Sequence, residues 1–129
     1  MPTYKLNFWF EWLADTCFQA ADVVTSEKFG IGMIAPERLP LKQETITQVK
    51  LLSQWHDTSL NWDYPPNPGL WRQEECNRFN AAAKQLFDTI TVELGETFEI
   101  AYSQIDLVED PELDKYLNDP QNFKRDVTS

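Results

Sequence analysis

The stretch SLNWDYPPNPGLW, residues 59–71, constrains the fold more than any other part of the sequence. Pro65, Pro66 and Pro68 fix φ, remove three backbone donors and push Tyr64, Pro65 and Asn67 toward extended conformations. Neither a regular helix nor a central strand can run through it, and Asn67-Pro68-Gly69 predicts a turn. The flanking sequence has helical spacing. Ile46, Val49, Leu51 or Leu52, and Trp55 form an apolar face over about 42–57. Cys76, Phe79, Ala83, Leu86 and Ile90 do the same over about 72–94, with Glu74 and Glu75 at the positive end of the dipole and Gly95 as the stop. A stiff loop therefore joins two helices. Its apolar residues, Leu60, Trp62, Tyr64, Leu70 and Trp71, are expected to fold over the helix ends as a lid whose rim also binds.

Before these helices, Leu6, Phe8, Phe10 and Trp12 alternate with Lys5, Asn7, Trp9 and Glu11, predicting a strand over Tyr4–Trp12. Trp9 then falls on the polar face, so something should cover that side too. A helix is expected over Cys17–Phe29, with Thr16 as N-cap, Gln19 completing a weak capping box and Gly30 as stop. IGMI at 31–34 suggests a short strand. Phe98, Ile100 and Tyr102 mark a last strand over about 97–105. This order predicts an α+β fold: a small, mainly antiparallel sheet with about three helices packed on it and its terminal strands paired. Residues 1–105 form one compact domain in this reading. Residues 106–129 form an acidic tail, partly ordered through Leu113, Tyr116, Leu117 and Phe123.

Charge narrows the partners. The 129 residues carry a net charge of −10, and residues 96–129 hold nine acids against three bases. Such a field repels phosphate backbones and anionic lipid, so neither nucleic acid nor membrane is expected, whereas a basic protein is favoured. Cys17 and Cys76 read as buried thiols of a reducing compartment, one disulfide being possible but unforced. The N-terminus lacks the apolar core of a signal peptide, and no stretch has transmembrane length, so a cytoplasmic location is expected.

Catalytic motifs are sparse. The four glycines build no phosphate cradle and there is no nucleophile elbow. A zinc site from Cys17, Cys76 and His56 would need a fourth ligand, and the acids from Asp106 to Asp114 lack calcium-loop spacing. No metal or cofactor is expected. His56 at the end of its helix reads as a partner for free carbonyls and the dipole; a Cys17–His56–Asp57 nucleophile is the sharper alternative. Glu11 among tryptophans and Asp63 between Trp62 and Tyr64 could serve as a carboxylate pair for glycosidic-bond hydrolysis.

The combination of FWFEW, LPL before a helix, SLNWDYP and EECNRFNAA resembles a group of small, uncharacterised bacterial proteins, over about residues 6–100. The resemblance implies a compact bacterial domain and brings no catalytic residues. GLWRQEE stands where a small polar cap would be expected before the third helix. The leading reading is a non-enzymatic acidic module binding a basic protein, in the manner of an immunity-type inhibitor, through Trp9, Glu11, Trp62, Asp63, Tyr64 and Trp71. The alternative is a small carbohydrate-active hydrolase or ligand-binding protein using Glu11 and Asp63 under the aromatic lid.

Overall fold

The computed structural model describes residues 2–125; Met1 and residues 126–129, among them the tail acid Asp126, lie outside the described residues. The elements are β1 (Tyr4–Phe8), β2 (Phe18–Ala20), α1 (Val23–Phe29), β3 (Met33–Ile34), α2 (Gln43–Asp57), α3 (Gln73–Leu94), β4 (Phe98–Tyr102) and α4 (Leu113–Asn118). The sheet order is β3-β2-β1-β4. Two of its pairings are antiparallel, and β1 runs parallel to β4 with Tyr4 opposite Phe98 and Phe8 opposite Tyr102. The fold is the expected α+β class, with four helices rather than about three.

Alternation along the strands sends Leu6, Phe8 and Phe18 to one face, where all three are buried. That face receives α2 and α3. Phe8 meets Phe87, and Phe10 meets Phe79, in edge-to-face pairs at 5.4 Å. Phe79, fully buried, also touches Trp55 and Trp71, so one ring joins the segment after β1, both helices and the loop between them. The opposite face carries Lys5, Asn7 and Trp9. There the indole Nε1 of half-buried Trp9 donates to Gln19 Oε1 at 2.9 Å, so a neighbouring strand, not the 59–71 loop, covers Trp9.

Two segments depart from the sequence expectation. β1 ends at Phe8, not Trp12, because the chain then bends through Leu13 and Asp15, both with positive φ (65° and 56°). Phe10 stays in the core, its N–H held by Gln104 Oε1 at 2.8 Å. The expected helix over Cys17–Phe29 is shorter. Phe18–Ala20 pair as a strand, Thr16 spends its hydroxyl on the Ile34 carbonyl at 2.6 Å, and Asp22 is the N-cap through Thr25 N–H at 2.9 Å. Gly30 stops the helix with φ 103°, as expected.

Helices α2 and α3 begin without caps of their own, at Lys42 and Arg72. Distant carboxylates substitute. Glu93 accepts from Lys42 N–H at 2.8 Å and from the Thr45 hydroxyl, and Glu109 accepts from Gln73 N–H at 3.1 Å. The missing polar cap in GLWRQEE is thus supplied by the segment following β4. In that segment Leu113 and Tyr116 are buried, Phe123 is half-buried against Tyr116, and Leu117 faces outward.

Candidate functional site

The end of α2 gathers the tryptophans. Its last residue and the two that follow each hold one indole N–H: Trp62 donates to the Asp57 carbonyl at 2.6 Å, Trp71 to Thr58 Oγ1 at 2.9 Å, and Trp12 to Ser59 Oγ at 3.1 Å. Three rings from two loops are therefore fixed by three successive positions. The Asp57 side chain adds the Leu13 N–H at 2.8 Å, which secures the backbone where it is left-handed. Non-glycine residues in that conformation cost on the order of 1–3 kcal/mol and persist where the surroundings hold them.

The rings differ in burial. Trp71 is 6% exposed and packs on Trp55 and Phe79, so among the expected lid residues it is the one that plugs the core, while Leu60 is half-buried. Trp62 is 48% exposed, Tyr64 58% and Leu70 56%, so they do not. The reason is Asn61, buried at the loop's base. Its amide donates to the Pro68 carbonyl at 3.1 Å and its Oδ1 accepts from Asp63 and Tyr64 N–H, an Asx turn that throws residues 62–66 outward. The tight turn is Tyr64–Asn67, closed at 2.9 Å, and not Asn67-Pro68-Gly69. Gly69 instead permits contact: a Cβ there would lie 2.1 Å from the Ser59 carbonyl oxygen.

Trp12, Ser59, Gly69 and Trp71 face residues 107–111 across a cavity of about 280 Å³, with Cys76 also lining it and Glu109 and Asp110 on its acidic side. A larger groove between α2 and α3 is lined mainly by polar side chains such as Lys42, Gln48, Gln85 and Glu93 and has no aromatic wall. Arg125 reaches back to this end, donating to the Pro66 carbonyl and to Asp110 and Glu112. Its guanidinium holds the Asp110 carboxyl below the usual carboxylate range.

His56 lies beneath this surface, stacked under Trp12 at 5.1 Å and packed on Phe10 and Phe79. It is 3% exposed, and among the described residues its Nδ1 has no hydrogen-bond partner. Burial lowers its pKa, against the smaller opposing pull of Asp57 and Glu11. The expected role of its side chain as a partner for helix-end carbonyls is not what the structure shows: Ser59 bonds the His56 carbonyl, and the imidazole is a neutral core ring. Cys17 is fully buried and its thiol is pushed well up by burial, which removes it as a nucleophile. Cys17 and Cys76 are both free thiols.

Glu11 and Asp63 are not brought together around a cleft. Glu11 accepts from the N–H of Trp12, Asp63 is exposed on the turn, and neither lines the aromatic cavity. Among the described residues no group of three or more His, Cys, Asp or Glu could hold a metal ion, and no helix is long and apolar enough to cross a membrane. Trp12 and Leu13, 39% and 75% exposed, join this candidate site although the sequence pattern does not single them out. Alternation makes Trp12 the last inward residue of a strand, and the bend after Phe8 turns it outward.

Compared with curated proteins, the chain finds no match. A family model described as Serratia CdiI immunity protein-like matches residues 13–105, from the exposed turn at Leu13 through the α2–α3 loop to just beyond β4. With most of its length matched in this way, the chain belongs to the Serratia CdiI immunity protein-like family.

Proposed function

We propose that the protein neutralises a basic toxin by covering it with the end of the molecule where the tryptophans gather. The family match supports an immunity-type, protein-interacting role. The observation that carries the placement is the anchoring of Trp12 and Trp62 by their indole N–H groups while their rings stay exposed. Rings held in place lose little freedom on binding, and rigid aromatic anchors dominate interface energies. Tyr64 and Leu13 extend the apolar centre, and Glu11, Asp63, Glu109 and Asp110 give it an acidic setting. Trp71 supports it from the core, and Trp9 lies beyond its edge on the open face of the sheet. With a net charge of −10, encounter with a basic partner is fast and salt-sensitive. Free thiols fit action in the cytoplasm.

The test is a capture from the native cell lysate at low and high salt, followed by growth assays on the protein retained. A basic protein that arrests growth alone and is silenced by co-expression supports the reading. The folded double variant Trp62→Ala, Tyr64→Ala should then fail to silence it. Silencing by that variant at wild-type strength would move the interface elsewhere, and a captured protein without effect on growth would remove the toxin.

A further inference from the structure

Arg125 is joined to the loop it touches across a sequence separation of 59 residues, and each of its three guanidinium nitrogens donates a hydrogen bond at this end. Nε donates to the Pro66 carbonyl at 2.9 Å, Nη2 to Asp110 Oδ2 at 2.7 Å, and Nη1 to Glu112 Oε2 at 3.0 Å and Asp110 Oδ1 at 3.3 Å. The two Nη groups grip Asp110 in the end-on fork by which arginine, and not lysine, recognises a carboxylate. The acceptors are recessed, with Asp110 and Glu112 side chains 19% and 20% exposed, while Arg125 is 41% exposed and enters from outside. Asp110 is also fixed from within, accepting from Glu112 N–H at 2.9 Å, and it borders the aromatic cavity. The chain leading to Arg125 is a short turn in which Asn122 bonds Asp119, and it meets α4 through the edge contact of Phe123 with Tyr116 and the Lys115 ammonium over the Phe123 ring.

We propose that Arg125 is an internal place-holder: Asp110, Glu112 and the Pro66 carbonyl form a seat for an arginine of the basic partner, which displaces Arg125 as the complex forms. The proposal rests on the reading of this end as the docking surface. Exchanging one guanidinium for another leaves no recessed carboxylate unpaired, so the exchange itself is nearly balanced and the partner's remaining contacts decide it. A partner offering lysine would have to displace the fork without replacing it. Self-occupancy therefore filters partners for arginine and holds the segment at 107–112 in its bound shape until one arrives.

The probes are two capped peptides of equal length and charge, one rich in arginine and one in lysine, titrated by tryptophan fluorescence at fixed ionic strength. Arg125→Ala should bind the arginine peptide several-fold tighter than wild type, with a smaller gain for the lysine peptide. Arg125→Lys, which keeps the charge and loses the fork, should fall between them and keeps the test open if the alanine variant misfolds. Asp110→Asn should lose the preference for arginine. Equal affinities in wild type and both Arg125 variants would overturn the proposal, as would equal gains for both peptides, because only net charge would then have changed. Neither result depends on the toxin, so failure of the seat and failure of the immunity reading are distinguishable.

Discussion

In the layer between sheet and helices, Phe8, Phe79 and Trp71 lose nearly all contact with water and hold α2 and α3 against the sheet. Where α2 ends, Trp12, Trp62 and Tyr64 keep much of their ring surface in water, though two of them are tied by hydrogen bonds as firmly as Trp71. The same residue types thus serve two purposes, and the difference lies in what happens to the ring, not to the indole N–H. In the core, the ring is buried and the hydrogen bond satisfies a polar group. At the end face, the hydrogen bond supplies rigidity while the ring stays exposed, which is the state the proposed docking surface requires.

The sharpest break of this comparison would come from truncating both kinds of ring. Phe79→Ala should lose about 3–5 kcal/mol of stability, since that ring meets four others and leaves a large cavity. Trp71→Ala should cost about 3 kcal/mol on the same grounds. Both are checked by urea unfolding. Trp62→Ala should cost less than about 1 kcal/mol of stability, yet remove about 2 kcal/mol or more of partner affinity measured by calorimetry. A stability loss equal to that of Trp71→Ala would erase the distinction between the two regions.

A subtler test uses the ring that lies between them. His56 is the single histidine, and burial lowers its folded pKa below the ordinary 6.5. The unfolded chain therefore takes up the proton first as pH falls. Its contribution to stability should hold above about pH 6.5 and decline as pH falls through the lowered folded value. Comparing unfolding free energies of wild type and His56→Phe across that range isolates the decline, which the variant should lack. The smallest effect is expected from Leu13→Gly. Relief of the left-handed strain should roughly offset the added backbone freedom, leaving stability within about 0.5 kcal/mol while partner affinity falls.

The sequence made the long helices legible because each repeats its apolar face over several turns, from Ile46 to Trp55 and from Cys76 to Ile90. It concealed β2, since three residues cannot display a period and the spacing of Cys17, Ala21 and Val24 runs a helical stripe through them. Thr16 looked like a cap, but its hydroxyl is taken by Ile34, a contact that exists only after folding. The site was half legible for a similar reason. The stiffness of residues 59–71 could be read from the prolines. That Trp62 and Tyr64 point outward depends on Asn61 holding Pro68, and hydrophobicity alone argued for burial.

The pairing of β1 with β4 has a consequence for timing. The strand that begins at Tyr4 finds its parallel neighbour only when Phe98 has been made. At ordinary synthesis rates of about 5–20 residues per second, that interval is roughly 5–20 s. Throughout it, β1 has an unpaired edge, and contacts of such long sequence separation also close slowly once both ends exist. A newly made chain therefore cannot complete its sheet at once. Under the proposed function, neutralisation would rest on molecules already folded, and a pause in protein synthesis would leave that reserve as the whole supply.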